Sequence, residues 1–262
     1  MKKKLVVKGI ALIIILIGIY YLYFNFYWII GFNERKNNMV TEYYPKDSIH
    51  YNIATADYVA ARIQVLLGAD INEVDKKRNE TPLETSLISM GKPDMFIKML
   101  VQNGADLNFK SHHILYQYIY YYGDNLKMVQ FLIEKGADVN DGSLCSAVET
   151  NNYDAVKLLV EKGAKVNQKD ERGKTPLMSA CYTETFEEVP RINTKKQYRI
   201  IKYLLEHGAV PSEKDNDGKT AYDYINKYKN EIEKMDKVKN QYKYTASVLK
   251  ILKEKDKTRK DK

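Results

Sequence analysis

The chain has 262 residues, with 42 Lys and Arg against 34 Asp and Glu, a formal net charge of +8. The surplus lies at the ends: residues 1–8 hold +4 and residues 227–262 hold +7, while residues 9–226 carry 25 basic against 28 acidic side chains. The body of the chain is therefore not a basic nucleic-acid surface, and its two cysteines form no CxxC pair of the kind that holds zinc.

In chain order, residues 1–8 form a basic flank containing Lys2, Lys3, Lys4 and Lys8. The run from Gly9 to Phe32 follows, with Asn25 its only strongly polar member. As a helix its length of about 36 Å exceeds a hydrocarbon core of about 30 Å. Tyr20, Tyr21, Tyr23, Tyr27 and Trp28 crowd its C-terminal half, as amphipathic rings do at a headgroup boundary. A cleaved signal peptide is the alternative, giving a secreted product. The run is too long for that, and no small-x-small site ends it. The expectation is thus an uncleaved transmembrane anchor over 9–32. Lysine asymmetry around it places the N-terminus in the cytoplasm and everything downstream on the periplasmic or other extracytoplasmic side. Residues 33–50 read as a tether.

From there the chain repeats itself. LVQNGADLN at 100–108, LIEKGADVN at 132–140 and LVEKGAKVN at 159–167 are near copies, with looser versions VLLGADIN at 65–72 and LLEHGAVPS at 204–212. Apolar residues finish a helix, and Gly104, Gly136, Gly163 and Gly208 stand where the exit needs a positive φ. A short extended segment follows. Turn signals come next at Lys169-Asp170-Glu171-Arg172-Gly173 and Lys214-Asp215-Asn216-Asp217-Gly218. Thr175-Pro176-Leu177 and Thr81-Pro82-Leu83 then open helices with a capping hydroxyl, a first-turn proline and a core leucine.

On these residues the chain resembles the ankyrin repeat family, whose unit of about 33 residues is a β-turn plus two helices opening T-P-L-H-x-A. Thr175-Pro176-Leu177-Met178-Ser179-Ala180 lacks only the histidine. The resemblance covers residues 51–225 and implies an all-α solenoid of helix-turn-helix units with short β-turn fingers, here preceded by one transmembrane helix. It also implies a non-catalytic module binding a protein partner through its concave face and fingers. Exported, anchored relatives that act as immunity proteins against toxins, or as helpers of periplasmic enzymes, supply the alternative.

The repeat glycines Gly68, Gly104, Gly136, Gly163 and Gly208 are successively 36, 32, 27 and 45 residues apart. Dividing each interval at Leu83, Leu115, Leu144 and Leu177 assigns two cut-back fingers to the middle. It also assigns an insertion near Thr183–Gln197 between the helices of the unit opening at Thr175. Shortened fingers would leave a notch between longer ones, with tyrosines as anchors. The expected partner-binding residues are Lys76, Lys77 and Arg78 at the first tip, Tyr116 and Tyr120 beside the cut-back fingers, and Glu171, Arg172, Asn216 and Asp217 at the later tips.

Val59, Ile63, Leu66 and Leu67 have the spacing of an abbreviated N-terminal cap. Residues 226–255 are expected to form capping helices, with Val248, Ile251 and Leu252 closing the stack, and 256–262 a charged, solvated tail. Cys145 and Cys181 read as buried thiols. His112 and His113 read as surface or capping groups, and His207 as a cation at a helix C-terminus. No phosphate-binding, nucleophile-elbow or metal-protease motif occurs, so the expectation includes no catalytic residue, metal, cofactor, small-molecule substrate or nucleic acid.

Overall fold

A computed structural model describes residues 44–46, 48–89, 93–109, 113–181, 194–233 and 242–260. It divides into two compact units, one through Met99 and one from Leu100 onward. All regular elements among the described residues are helices, and none is long and apolar enough to cross a membrane. The expected span over 9–32 lies outside the described residues.

The first unit contains α1 (Ile49–Ala54), α2 (Tyr58–Leu66), α3 (Pro82–Leu87) and most of α4 (Pro93–Gln102). Ser48 caps α1 and Asp57 caps α2, each side chain accepting from a backbone N–H three residues on. At α3 the predicted Thr-Pro-Leu start is a complete capping box. The Glu84 N–H donates to the Thr81 hydroxyl, and the Thr81 N–H donates back to Glu84 Oε2 at 2.7 Å. The tether expected over 33–50 is shorter than the sequence suggests. Tyr44 is buried, stacks on His50 and donates to Glu80 at 2.7 Å, so the folded unit begins by Tyr44. Val59, Ile63, Leu66 and Leu67 are exposed on α2, not packed as core. The helix turns Ala61 and Tyr58 inward instead.

The second unit contains four helix pairs: α5 (Ile114–Tyr122) with α6 (Leu126–Glu134), α7 (Ser143–Glu149) with α8 (Tyr153–Glu161), α9 (Pro176–Cys181) with α10 (Thr194–Glu206), and α11 (Ala221–Glu233) with α12 (Tyr242–Lys260). First helices α5, α7, α9 and α11 pack in succession as one layer, and second helices α6, α8, α10 and α12 as another. The core follows the repeat. Leu115, Leu132, Leu159, Leu177 and Leu204 have no accessible surface, and Ala137, Ala164 and Ala209 from the Gly-Ala steps are buried with them. Gly136 sits at φ +98, a conformation in which a Cβ is strained.

At the C-terminal end Val248 and Leu252 are buried, Ile251 is partly exposed, and α12 packs against α10 and α11. The charged tail begins later than expected. Helix α12 runs on through residues 256–260, and Asp256 accepts a hydrogen bond from the Tyr222 hydroxyl at 2.6 Å. Of the predicted insertion, Thr194–Gln197 are the first turn of α10, and the Gln197 amide donates to the Ala180 carbonyl at 2.5 Å. Residues 182–193 lie outside the described residues.

Candidate functional site

Each long finger is organised by an aspartate. In the second unit Asp170 Oδ1 accepts from the N–H groups of Arg172 (2.9 Å) and Lys174 (2.7 Å), and Asp215 Oδ1 accepts from Asp217 (2.9 Å) and Lys219 (2.8 Å). The backbone closes each turn, Asp170 N–H to Lys174 O and Asp215 N–H to Lys219 O, both at 2.9 Å. Asp75 does the same in the first unit for Lys77 and Arg78. Asp215 is held below the usual carboxylate range. Burial works against this, but hydrogen bonds from the Tyr224 hydroxyl and from the Lys219 and Asp217 N–H groups outweigh it.

The finger preceding α7 is cut back to Asp141-Gly142. Asp141 Oδ2 accepts the Tyr116 N–H at 3.1 Å and Oδ1 accepts the Ser143 N–H at 2.9 Å. Burial raises the Asp141 carboxyl, with these hydrogen bonds opposing it. The Tyr116 ring lies over Gly142, 3.4 Å from where a Cβ would stand, and is parallel to Tyr120 with ring centroids 6.5 Å apart. Tyr120 meets Tyr121 edge-on at 5.2 Å, and the two are 50% and 61% exposed. Burial, then the Glu149 carboxylate, pushes the Tyr116 phenol up, while Arg172 opposes the shift. Arg172, at the neighbouring fingertip, is thus within electrostatic reach of the tyrosine stack.

The predicted residues therefore fall into two groups. In the second unit, Tyr116 and Tyr120 stack, Arg172 acts electrostatically on Tyr116, and the two later fingertips are stitched together. The Asn216 side chain donates to Glu171 O at 3.0 Å, and its N–H donates to Arg172 O at 3.1 Å. In the first unit, Lys76, Lys77 and Arg78 are all exposed, and Arg78 pairs with Glu80 at 3.0 Å and stands over the Tyr44 ring. Arg172–Asp170 and Lys219–Asp217 are exposed ion pairs of the same kind. Such pairs contribute about 0–1 kcal/mol each, so a partner displaces them at little cost.

The sequence reading missed the asparagine that ends the three closest copies, at 100–108, 132–140 and 159–167. Asn108 donates to Gly136 O (2.8 Å) and accepts from Asp138 N–H (2.9 Å). Asn140 accepts from Lys165 N–H (2.9 Å), and Asn167 donates to Gly208 O and accepts from Val210 N–H, both at 2.9 Å. These side chains form a ladder between neighbouring repeats. Their recurrence four residues after the glycine in every copy but the last was the available signal. His113, at the cap position of α5, makes no side-chain capping bond, contrary to one expected role, and His112 lies outside the described residues. His207 follows α10 as expected, with its Nδ1 2.8 Å from Tyr203 O. Cys145 and Cys181 are buried free thiols. Among the described residues no group of three or more His, Cys, Asp or Glu is placed to hold a metal.

The comparisons agree with this geometry. The family pattern described as ankyrin repeats (3 copies) matches residues 119–215 and again residues 144–234. An ankyrin repeat domain from Acinetobacter baumannii superposes with a TM-score of 0.59 at 20% identity, covering 78% of this chain and 96% of that one. The ankyrin repeat domain of Bcl-3, a member of the IkappaB protein family, superposes at 0.52 with 21% identity, covering 72% and 86%. No curated protein matches the sequence. Residues 119–234 are ankyrin repeats, and the fold is the all-helical ankyrin fold. Ankyrin repeats are typically non-catalytic modules that mediate protein–protein interaction.

Proposed function

We propose that this chain is a membrane-tethered protein-binding module. Residues 9–32 anchor it, the repeats stand on the extracytoplasmic side, and a protein partner is held by fingertips and first helices. The observation that carries the binding reading is the Tyr116–Tyr120 stack. Large aromatic surface is left half-exposed over a cut-back finger, with Glu149 and Arg172 supplying charge of both signs beside it. Rigid aromatics rimmed by polar groups are what binding hot spots are made of. The Glu171, Arg172, Asn216 and Asp217 tips extend this face within the second unit, and Lys76, Lys77 and Arg78 offer a separate basic tip on the first.

The anchor reading rests on the length of the 9–32 run and the lysines before it. Cross-linked pull-down of the full-length membrane form, beside a Tyr116→Ala/Tyr120→Ala variant, tests the binding face. A partner captured equally by both forms would remove the tyrosines from the site. Protease treatment of spheroplasts tests the side of the membrane, since repeats that survive external protease intact would reverse the topology.

A further inference from the structure

The exposed side of α2 is apolar. Val59, Ile63, Leu66 and Leu67 are 39%, 50%, 72% and 82% exposed. Their spacing sets all four on one side of the helix. The opposite side is the one that packs, with Ala61 fully buried and Tyr58 edge-on to Phe96. Terminal repeats carry a polar outer face because no neighbour covers it. An exposed stripe of two leucines, an isoleucine and a valine therefore marks a contact surface.

The sequence around it indicates what that surface meets. Residues 33–43, NERKNNMVTEY, are mostly polar, with Met39, Val40 and Tyr43 their only apolar side chains. The apolar run ends at Phe32, and Tyr44 is packed into the first unit against His50 and Glu80. The segment between them spans at most about 40 Å when fully extended. Wherever residues 9–32 cross a bilayer, Tyr44 is tethered within about 40 Å of that bilayer's surface. Arg62 lies on the same side of α2 and is exposed, placed to reach lipid phosphate while the apolar side chains enter the acyl boundary.

We propose that the exposed face of α2 rests in the headgroup boundary of the membrane that residues 9–32 span, so that the first repeat is docked on the lipid surface. This inference depends on the anchor proposed above. The test uses the full chain in phosphatidylethanolamine–phosphatidylglycerol vesicles. An environment-sensitive fluorophore is placed at Leu67→Cys or, as a control on the same unit, at the fingertip Lys77→Cys. Native Cys145 and Cys181 are buried and remain unlabelled in the folded chain. Acyl-chain nitroxide lipids should quench the Leu67→Cys label severalfold more than the Lys77→Cys label. Adding Ile63→Glu and Leu66→Glu, both at exposed positions, should abolish that difference while the chain stays in the membrane. Carbonate extraction separates the two readings: release of the chain would remove the anchor and this inference together. A chain that resists extraction but shows equal quenching at both positions would overturn the docking alone. So would cross-linking between Leu67→Cys copies without lipid quenching, which would assign the stripe to a second copy.

Discussion

Asn216 occupies the space a side chain on Gly173 would need. A Cβ built on Gly173 would stand 2.8 Å from the Asn216 backbone nitrogen and 3.0 Å from its Cγ, and Gly173 holds φ +75. Two consecutive fingers are locked together at this point. Gly136 also has a positive φ, +98, but a Cβ there would meet nothing within 4 Å. Gly136→Ala should therefore cost only the backbone strain, about 1–2 kcal/mol. Gly173→Ala carries the same strain plus a backbone collision and should cost distinctly more. Urea denaturation of the two variants gives the order, and equal losses would mean that the fingers are not in contact.

Leu132 and Leu159 have no accessible surface and sit at the same place in successive repeats, on α6 and α8, which pack together. Each leucine-to-alanine change leaves a cavity between repeats and should cost about 2–5 kcal/mol. Melting curves that match the parent would mean that the repeat register is wrong.

These leucines, and the glycines after them, were legible because the sequence writes them several times at the same step from a turn. The asparagine ladder was not. The bonds of Asn167 go to Gly208 and Val210, in the next repeat, and nothing local to Asn167 announces them. Periodicity also identified the stripe Val59, Ile63, Leu66 and Leu67. It could not tell which side of α2 has a neighbour, because in a stack that depends on what precedes the helix. Tyr44 was hidden by its setting, a proline beside charged residues, which reads as linker until Glu80 and His50 are brought against it. Tyr116 and Tyr120 were legible as candidates from the shortened finger. The electrostatic link of Tyr116 to Arg172, on the finger leading into α9, came only from the packing of α5, α7 and α9 in one layer.

Asn167→Ala removes two bonds between exposed partners, Gly208 O and Val210 N–H. The expected loss is about 1–2 kcal/mol, one modest net contribution per bond. Asn167→Asp keeps the acceptor for the Val210 N–H but sets a carboxylate oxygen against the Gly208 carbonyl, so it should also be less stable than the parent. If both variants match the parent, the ladder contributes nothing to stability.

His50 is buried, with Nδ1 2.8 Å from the Thr85 hydroxyl and Nε2 3.2 Å from Glu73 O. Burial lowers its pKa below the ordinary value of 6.5, although the Glu73 carbonyl and the charges of Asp75, Glu73 and Glu80 oppose the shift. The unfolded chain therefore binds a proton at a pH where the folded chain does not. Stability from this site is complete above about 6.5 and is lost as pH falls through the lower folded value. Unfolding midpoints measured at pH 7 and pH 5 should show the loss, and His50→Gln should reduce the slope. A slope unchanged by the substitution would assign it to other groups.

Cys145 and Cys181 lie on successive first helices, α7 and α9, and burial pushes both thiols up to about 12, with Glu149 and Asp170 adding to the effect at Cys145. Thiolate is the reactive form, so at pH 8 a thiol of that pKa presents only about one ten-thousandth of its population for alkylation. Access is restricted as well, since Cys181 is 1% and Cys145 7% exposed. Iodoacetamide should therefore leave both intact in the native chain and modify both at the rate of a free thiol in denaturant. Because reaction must wait for opening, the native rate also reports which pair of helices separates first. Substitution of Gly173 by alanine, which loosens the finger leading into α9, should accelerate labelling at Cys181. Mass spectrometry of the two cysteine-containing peptides separates the sites. Rapid labelling of either cysteine in the parent chain would show that the first-helix layer is not closed around it.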